Sequence, residues 1–399
     1  MKRVISIIVV LALALAACSS LAAPTTTSPS TTSSSTTTSS TTTTTAPTTT
    51  TTVYSLALEG AGEALTEFMT TLYSGEADPE SFPAPRQVVE AFAQAESKPP
   101  LEGRASVAAW DEKVRLGVVQ VGNDVTLLVA DPKWRVVGGW WPSVKGGTHL
   151  GEFPKIVAVV GSDARPRERR DETRSDSIHF VGIDGKGNAG IVGVPRDSWV
   201  SIPGWGRSKI NAALSFGGPQ LMMETFTDLT GLDFDGFLLT GFAGFEGLIE
   251  VLGGLEIDVP RRFNDSAAKA DIQPGPQVLD PKQTLAMART RKTLPRGDFD
   301  RQYHGGLILM AAQAMLKARG PLALPDLLAR ARPHVSTNFW PGELLVLAAS
   351  VLRVDPAKVV NTVAPGGTGS AGGASVVFLS DSASSLWEDL ADGSLEAPD

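Results

Sequence analysis

The chain has 399 residues, of which 42% are hydrophobic and 20% are charged, so most of it has a globular composition and enough length for two domains. Its formal net charge of -8 and its pI near 5.2 argue against nucleic acid as the main partner, because nucleic-acid-binding domains present a basic surface. Cys18 is the only cysteine, which excludes disulfides within the chain and any cysteine-based metal site.

The N-terminus has the features of an export signal. Lys2 and Arg3 precede the apolar run Val4–Ala17, which is shorter than the ~20 residues that span a bilayer and therefore favours a signal peptide. The sequence L-A-A-C that ends at Cys18 resembles a bacterial lipobox. Residues 1–18 are therefore predicted to be a lipoprotein signal peptide. Acyl chains on Cys18 would anchor the protein at the outer face of the cell membrane; plain secretion with an incidental cysteine is the alternative.

Residues 19–52 are almost entirely Thr, Ser, Ala and Pro. Such a segment has no apolar surface to bury and cannot offset the entropy lost on ordering. We predict a disordered stalk that holds the folded part away from the membrane.

Residues 53–150 are predicted to form a small α+β accessory domain. The apolar spacing indicates helices at Leu56–Leu72 and Val88–Ala95. Apolar or alternating runs between turn signals predict antiparallel strands at Val114–Val121, Asp124–Ala130 and Trp134–Trp141. Trp140 and Trp141 would face opposite sides of a strand, so we expect one of them at the surface or at the junction with the next domain. No catalytic constellation is visible in this region.

Residues 151–399 are predicted to form a second domain, of the α/β class. Short apolar strands are expected at Ile156–Val160, Ser177–Ile183 and Ala189–Val194, and a helical region is expected to open at Lys209–Ala212. The ends and flanks of the strands carry Asp163, Asp176, Arg196 and Asp197. Because ligands in α/β sheets usually lie at strand ends, we expect these four side chains to meet in one site.

Several long apolar stretches follow. They are Phe237–Leu252, Leu307–Ala318 and Leu344–Leu352, with further elements at Leu255–Val259, Val376–Leu379 and Ala383–Leu390. Their default interpretation is protein core. Together they are also suited to lining a long apolar groove, because pockets for oily ligands are built from the same residues.

The stretch Ala288–His304 is rich in arginine and aspartate. It contains Arg289, Arg291, Arg296 and Arg301 beside Asp298 and Asp300. Guanidinium groups match phosphate oxygens in a bidentate manner, so this pattern indicates a phosphate clamp with its own orienting carboxylates. A solvated surface charge run is the alternative.

Seven short motifs occur in one order along this part of the chain. They are G-S-D-A-R at Gly161, R-S-D-S-I at Arg174, V-P-R-D-S at Val194, K-I-N-A-A at Lys209, G-G at Gly217, A-R-T-R at Ala288 and G-D-F-D-R at Gly297. Together they resemble the LytR-CpsA-Psr family of bacterial cell-envelope phosphotransferases. The resemblance covers roughly Phe153–Gly320 and extends toward the C-terminus.

The resemblance implies an α/β/α sandwich with a central mixed sheet and a hydrophobic pocket for a polyisoprenyl tail. Family members transfer a glycopolymer, such as teichoic acid, capsule or arabinogalactan, from a polyisoprenyl pyrophosphate carrier to a sugar hydroxyl of peptidoglycan. A divalent metal, Mg²⁺ or alternatively Mn²⁺, assists. The expected partners are therefore the carrier-linked glycopolymer, peptidoglycan and the membrane, with no nucleic acid.

Site residues carry over by motif. The implied metal ligands are Asp163 and Asp176. The implied pyrophosphate ligands are Arg196, Lys209, Arg289, Arg291 and Arg301. The implied catalytic groups, beside the scissile bond, are Arg174, Asp298 and Arg301. These residue types suit phosphoryl transfer, which requires positioning and the neutralisation of charge by guanidinium groups and carboxylate-bound Mg²⁺.

One segment departs from the family pattern, which continues after Gly-Asp-x-x-Arg with a second Arg and then one or two Gln. Here these positions are His304, Gly305 and Gly306. Glycine cannot replace the amide of Gln, and the positive charge is lost unless His304 is protonated or metal-bound. A non-catalytic envelope protein that binds polyprenyl-phosphate lipids or wall glycans is therefore the alternative to an active transferase. A transcriptional regulator is disfavoured by the export signal and the acidic charge.

Overall fold

The computed structural model describes residues 56–95, 102–165 and 167–396. Val53–Asp399 forms one compact unit. The signal peptide over 1–18 with its lipidation site Cys18, and the stalk over 19–52, lie outside the described residues and stay predictions.

The first part of the described chain is a six-stranded sheet with two helices. Its elements are β1 (Ala57–Glu59), α1 (Glu63–Ser74), α2 (Arg86–Ala93), β2 (Glu102–Ala109), β3 (Arg115–Val121), β4 (Asp124–Ala130), β5 (Trp134–Trp140) and β6 (Thr148–His149). The strands follow the order β1–β2–β3–β4–β5–β6, and only the β1–β2 pair is parallel. The helix expected from Leu56 begins at Glu63 instead, because Ala57–Glu59 pairs with β2, a strand that sequence reasoning missed.

Neither of the adjacent tryptophans is exposed at the surface, but Trp140 lies at the junction with the second part of the chain, which was the other expected position. Trp141 follows β5 and is fully buried, and its indole Nε1 donates a hydrogen bond to Thr126 Oγ1 at 2.8 Å. Trp140 is half-buried, with the Arg353 guanidinium 5.2 Å from its ring centroid. Trp140 packs against helices from the second part of the chain, whereas Trp141 is buried in the cluster that this sheet forms with α1 and α2.

The second part begins with strands and helices that alternate. In chain order these are β7 (Lys155–Ser162), β8 (Ser175–Ile183), β9 (Ala189–Gly193), β10 (Trp199–Ile202), β11 (Gly206–Lys209), α3 (Ala212–Thr230), β12 (Gly236–Thr240), α4 (Phe242–Leu252), β13 (Leu255–Val259), β14 (Phe263–Asp265), β15 (Ala270–Ile272) and β16 (Gly275–Leu279). The apolar stretch Phe237–Leu252 is divided at Gly241 into a strand and a helix.

The remaining elements complete this part. They are α5 (Pro281–Arg289), α6 (Asp298–Arg319), α7 (Leu324–Ala331), β17 (Ser336–Thr337), α8 (Pro341–Arg353), β18 (Val359–Val363), β19 (Gly366–Ala371), β20 (Ala374–Leu379) and α9 (Ser382–Leu390), with short 3₁₀ helices at Pro142–Val144, Pro321–Ala323, Arg332–His334 and Pro356–Lys358. The central sheet follows the order β17–β12–β7–β8–β9–β18. Its β12–β7 and β9–β18 pairs are parallel and its other pairs antiparallel, so the sheet is mixed.

Helices cover both faces of the central sheet. Successive side chains of a strand point to opposite faces, so Ile178 and Phe180 of β8 pack toward α3 and α9, where the Phe180 ring lies 5.1 Å from that of Phe226 and 5.8 Å from that of Trp387. His179 and Val181 face the opposite side, toward α4 and α6. The predicted α/β/α sandwich with a central mixed sheet is confirmed.

The segment Lys209–Ala212 does not open a helix at Lys209. The residues Gly206–Lys209 form β11, which pairs with β10 as a hairpin, and α3 begins at Ala212. Gly217 and Gly218, the G-G motif, form a kink inside α3, with Gly218 at φ 70°. Glycine adopts this left-handed conformation without steric cost.

Helices α7 and α8 serve both sheets. Leu324 of α7 and Leu345 and Ala349 of α8 share a buried cluster with Val118 and Leu127 of the first sheet. The boundary proposed between residues 150 and 151 falls between β6 and β7, but the two sheets have this helical layer in common. The division into 53–150 and 151–399 stays a prediction.

Within the described residues, no helix by itself has both the length and the apolar composition needed to cross a membrane. Only Asp298–Arg319 taken together with Pro321–His334 meets both criteria, and these two segments are bent by 103°.

Candidate active site

Strand direction brings the charged residues together at one edge of the central sheet. Strands β7 and β9 are each antiparallel to β8, so the ends of β7 and β9 and the beginning of β8 meet there. Asp163 follows β7, Asp176 lies at the start of β8, and Arg196 with Asp197 follows β9. The prediction that these four residues meet at strand ends is confirmed.

The loop between β7 and β8 is closed on itself at this edge. The Asp163 N–H donates to Arg174 O at 3.0 Å, and the Arg174 N–H donates to Asp163 Oδ1 at 3.1 Å. The Arg174 side chain is exposed and lines the cleft described below. The reciprocal pair holds Asp163 and Arg174 side by side although eleven positions separate them in sequence.

Helix α6 directs its N-terminal turn at the same edge. Asp298, its first residue, accepts a hydrogen bond from the Arg196 N–H at 2.9 Å through Oδ2, and its Oδ1 lies 2.5 Å from Arg301 Nη2. A carboxylate is stabilised at a helix N-terminus by the partial positive charge of the unpaired N–H groups. Asp298 therefore connects the loop after β9 to α6.

Arg301 is a buried cation, with 8% of its surface exposed. Its Nη2 donates to Asp176 O at 2.6 Å, and its Nη1 lies 3.9 Å from Asp176 Oδ2. Burial lowers the pKa of Arg301, and the Asp298 carboxylate opposes this effect. An arginine remains charged under such conditions, so Arg301 presents a fixed positive charge between two aspartates.

The Asp197 carboxylate lies close to three cationic side chains. Its carboxylate lies 2.7 Å from Lys209 Nζ, 3.7 Å from Arg291 Nη1 and 3.8 Å from Arg196 Nε. Arg196 also forms an ion pair with Asp176. Sequence reasoning placed Asp197 at the strand end but gave it no role; the structure shows that it positions three of the predicted phosphate ligands.

We call this group the charged cluster; its members are Asp163, Arg174, Asp176, Arg196, Asp197, Lys209, Arg291, Asp298 and Arg301. Arg289 is the predicted site residue that lies apart from it. The Arg289 guanidinium is 4.6 Å from the ring centroid of Phe242, at the mouth of an apolar cavity. A cation over an aromatic face is attracted by the ring quadrupole, so Phe242 fixes the position of Arg289.

The apolar cavity lies between the central sheet and helices α4, α6, α7 and α8 and has a volume of about 750 Å³. Phe242, Phe245 and Leu248 of α4 and Ile308, Ala312 and Leu316 of α6 are among its lining side chains. Apolar stretches that would otherwise be assigned to the core therefore line a cavity, as the second interpretation of their sequence predicted.

A second, polar cleft of about 1340 Å³ extends from the charged cluster on the other side. Asp163, Asp176, Arg196, Arg291 and Lys292 line both spaces. The two spaces therefore meet at the charged cluster, with an apolar chamber on one side and a polar cleft on the other.

A buried hydrogen-bond network fixes β8 against α6 beneath the charged cluster, and sequence reasoning missed it. Gln302, 1% exposed, donates through Nε2 to Asp176 O at 3.2 Å and accepts from the Ile178 N–H at 3.4 Å. The His179 Nε2 lies 2.8 Å from Gln302 O. Since a carbonyl only accepts, Nε2 carries the proton. A single Gln and a single His belong to no sequence motif, so the sequence gives no signal that Gln302 and His179 interact.

Burial lowers the pKa of His179 to about 4, and the hydrogen bond to Gln302 offsets this in part. His179 is therefore neutral near pH 7. It lines the apolar cavity close to the charged cluster.

His304 points away from the site, because it lines neither the cavity nor the cleft. It is 4% exposed and its ring packs edge-on against Phe263 at 4.8 Å. Burial lowers its pKa to about 4, so it carries no charge near pH 7 and does not replace the missing arginine. Gly305 and Gly306 face the His179 and Asn361 side chains, which occupy the space where side chains at these two positions would lie.

The aspartates of the charged cluster fit a divalent cation. Asp163 and Asp176 line the same spaces, and Asp176 Oδ1 is buried with no hydrogen-bond partner. Among the described residues, no group of three or more His, Cys, Asp or Glu forms a complete metal cage. Mg²⁺ is commonly bound through one or two carboxylates together with substrate phosphates, so two aspartates suffice.

The fold and the site define an α/β/α protein in which an apolar cavity opens onto a cluster of arginines and aspartates. Residues 148–392 match the model of the LytR_cpsA_psr family, which is more than half of the chain. The chain belongs to this family, and the resemblance seen in its motifs is confirmed.

Several curated relatives are similar to part of the chain. The probable cell wall biosynthesis protein LcpB of Corynebacterium glutamicum is 38% identical over 128 residues, 32% of this chain and 31% of that protein. The polyisoprenyl-teichoic acid–peptidoglycan teichoic acid transferase TagV of Bacillus subtilis is 33% identical over 184 residues, 44% of this chain and 47% of that protein. TagU of Bacillus cereus, a transferase of the same name, is 29% identical over 195 residues, 47% of this chain and 61% of that protein. The chain thus spans about a third to three fifths of the length of these relatives.

Solved structures share the fold. The crystal structure of Bacillus subtilis TagV superposes with a TM-score of 0.52 and 25% identity over 62% of this chain and 100% of that chain. The structure of TagT bound to LI-WTA superposes with a TM-score of 0.51 and 22% identity over 61% of this chain and 92% of that chain.

Proposed function

We propose that this protein transfers a glycopolymer from a polyisoprenyl pyrophosphate carrier to a sugar hydroxyl of peptidoglycan. The observation that carries the proposal is the junction of the two spaces: residues of the charged cluster line both the apolar cavity and the polar cleft. A carrier has the same sequence of parts, with an oily tail, a pyrophosphate and a glycan in line. The names of the TagV and TagU relatives support the same reaction.

The cluster offers its cations where the pyrophosphate would lie. Arg196, Lys209 and Arg291 converge on Asp197, so three cations are held close together for the phosphate oxygens of a bound carrier. Arg301 donates a hydrogen bond to the main-chain oxygen of Asp176 and forms an ion pair with Asp298. It therefore keeps its orientation during the reaction. Preorganised cations of this kind stabilise the charge that develops on the transferred phosphoryl group.

In the proposed step the acceptor hydroxyl oxygen attacks the phosphorus on the glycopolymer side. The bond from this phosphorus to the bridging oxygen breaks, and polyisoprenyl phosphate leaves with the electron pair. We assign acceptance of the hydroxyl proton to Asp298, which lines the cleft and is fixed by the Arg196 N–H and by Arg301. We assign stabilisation of the departing phosphate to Arg196, Arg291 and Arg301, and orientation of the glycan-side phosphate to the exposed Arg174.

We also propose a divalent cation, Mg²⁺ or Mn²⁺, at Asp163 and Asp176. The unpartnered Asp176 Oδ1 supports this assignment, because a buried carboxylate oxygen without a partner is costly unless a ligand satisfies it. When bound, such a cation neutralises phosphate charge as a Lewis acid.

The second candidate function is binding of the carrier without transfer. The observation that favours it is the pair Gly305 and Gly306, where the family carries glutamine. Both functions require the cavity and the cluster, so they differ in product formation and not in lipid binding.

The test uses the purified chain with a short-chain polyprenyl-pyrophosphate glycan and a peptidoglycan fragment, with Mg²⁺ or with chelator. Coupled product that requires the metal supports the transferase. Donor binding without product for several acceptors supports the carrier-binding function, and neither binding nor product refutes both.

We further propose that the protein works outside the cytoplasm, anchored to the outer face of the cell membrane through Cys18. The lipobox-like sequence supports this location, as does the need to meet a membrane-borne donor. The Cys18→Ala variant is expected to leave the membrane fraction. Membrane association that persists in this variant would count against the anchor.

A further inference from the structure

The polar cleft has two halves of different chemistry. Its half at the sheet edge consists of the charged cluster and neighbours such as Lys292 and Arg296. Its other half is lined by Tyr303 and by residues of the stretches 361–368 and 375–377, and none of the lining residues there carries a charge. We call this the uncharged half; the side chains that matter are Tyr303, Asn361, Thr362, Thr368 and Ser375.

The uncharged half begins directly at the charged cluster. The Val377 N–H donates to Asp197 O at 2.9 Å, and Val377 forms a parallel bridge with Ser198. Strand β20 of the hairpin therefore contacts the loop that carries Asp197, and Thr368 and Ser375 of the hairpin line the same cleft as the cluster. A chain of sugars attached to a phosphate in the cluster would lie against this part of the hairpin.

One face of the hairpin presents hydroxyl groups to the cleft. Thr368 pairs with Val377, and Ser375 lies two positions from Val377, so Thr368 and Ser375 share a face. Phe378 lies on the opposite face, over Gly369. Both hydroxyl-bearing residues are exposed, so their hydrogen-bonding groups are accessible to a ligand.

The opposite wall offers an aromatic ring and amide groups. Tyr303 of α6 is 36% exposed, and its main-chain oxygen accepts a hydrogen bond from Asn361 Nδ2 at 2.9 Å. This bond ties the wall to β18. An exposed tyrosine combines an apolar ring with a polar tip, and the C–H face of a sugar ring packs on such a surface while its hydroxyls bond to neighbouring polar groups.

We propose that the uncharged half is a subsite for a neutral glycan, and that this protein handles a chain of uncharged sugars rather than a polyol-phosphate polymer. The distinction rests on charge: an anionic repeat would find no lysine or arginine in this half and would meet a protein of net charge -8. A glycan next to the phosphate can belong to the donor or to the acceptor. The existence of the glycan subsite does not depend on the proposed transfer function. Only the assignment of its sugar to the donor or to the acceptor rests on that function.

The first experiment measures binding to the purified full chain by calorimetry. Its probes are a neutral hexose tetramer, a neutral N-acetylglucosamine tetramer and a glycerol-phosphate tetramer, each at low and at high salt. We expect a neutral probe to bind at least about tenfold more tightly than the glycerol-phosphate probe. Its dissociation constant should not depend on salt, because no exposed ion pair forms. Equal or tighter binding of the glycerol-phosphate probe overturns the proposal, as does failure of both neutral probes to bind.

Variants locate the subsite. Tyr303→Ala, and separately Thr368→Val with Ser375→Ala, should weaken neutral-glycan binding by about tenfold, the loss expected for one or two hydrogen bonds or a packed ring. Phe378→Ala is the matched control, since it removes an exposed aromatic side chain from the opposite face of the same hairpin. A thermal melt of each variant excludes loss of fold as the cause. Unchanged binding in both cleft variants overturns the assignment.

A kinetic arm distinguishes the two sources. Tyr303→Ala should raise KM for the donor if the subsite holds donor sugars, and KM for the acceptor if it holds acceptor sugars. Altered binding with neither KM changed would remove the subsite from the reaction. If no donor gives product, the transfer function fails, while the calorimetric result still decides whether the glycan subsite exists.

Discussion

The His179 ring fills the space beside Gly305. A Cβ at Gly305 would lie 2.5 Å from His179 Cε1, which is far inside van der Waals contact. Helix α6 therefore approaches the central sheet closely at this point, and the histidine of β8 occupies the room that a longer side chain on the helix would need. The two residues are expected to be coupled.

Gly305→Ala should destabilise the protein by about 1–3 kcal/mol, as overpacking of a core does, although alanine normally stabilises a helix interior relative to glycine. Chemical unfolding measures this change. Gly62→Ala is the control, because a Cβ at Gly62 would have no neighbour within 4 Å. In a His179→Ala background the cost of Gly305→Ala should largely disappear, and an equal cost in both backgrounds would contradict the coupling.

Arg301 is too deeply buried for truncation to leave the fold unchanged. Arg301→Met leaves Asp298 with an uncompensated charge and should lower the free energy of unfolding by about 3–5 kcal/mol. Adding Asp298→Asn should recover part of this loss, since it removes that charge. Denaturant midpoints of the single and double variants test the relationship; a double variant less stable than Arg301→Met would refute it.

Arg291 and Arg289 should differ in their kinetic effects. Arg291→Ala removes a one-third exposed cation near Asp197 and should lower kcat about 100-fold, the loss typical of one preorganised charge donor, with no change in melting temperature. Arg289→Ala should mainly raise KM for the donor, because Arg289 lies over Phe242 at the cavity mouth. Arg262→Ala, which removes an exposed ion-paired arginine, is the control. Normal turnover of Arg291→Ala would exclude it from the phosphate clamp.

The apolar cavity should make the binding of a donor depend on the length of its carrier tail. Ala312→Phe fills part of the cavity and should weaken binding of long-tailed donors more than that of short-tailed donors. Ala314→Phe places the same ring on the exposed side of α6 and should leave the dependence on tail length unchanged. Titration of donors with graded tails compares the two variants; identical profiles would mean that the tail binds elsewhere.

Acid should destabilise the protein through its two buried histidines. Burial lowers the pKa of His179 and of His304 to about 4, below the value of about 6.5 in an unfolded chain. Between these values the unfolded state binds more protons, so the free energy of unfolding falls as pH decreases from about 6.5 toward 4. Urea midpoints between about pH 7 and 5 should show this slope, and His304→Leu should flatten it. A slope that is the same in both proteins would mean that His304 is charged in the native state.

The sequence predicted β7, β8 and β9 of the central sheet and the cluster at their ends, because the strand ends marked by Asp163, Asp176 and Arg196 carry both periodicity and charge, but it did not predict β12, β17 and β18 as strands. It did not predict the position of Arg289, since the cation–π contact with Phe242 depends on how α4 and α5 pack. Nor did it indicate Gln302, whose role arises only from the approach of α6 to β8. Short strands such as β1 were missed because their pairing partners, not their own residues, determine them.

The helices α7 and α8 form the back wall of the apolar cavity and also the surface on which the first sheet rests. Leu324 and Leu328 of α7 belong to both contacts. A ligand in the cavity therefore contacts the same layer of two helices that supports the first sheet and any partner bound to that sheet. If a lipid in the cavity favours one arrangement of this layer, it changes the affinity of the first sheet for its partner by some factor. Thermodynamic linkage then requires that the partner changes the affinity of the cavity for the lipid by the same factor.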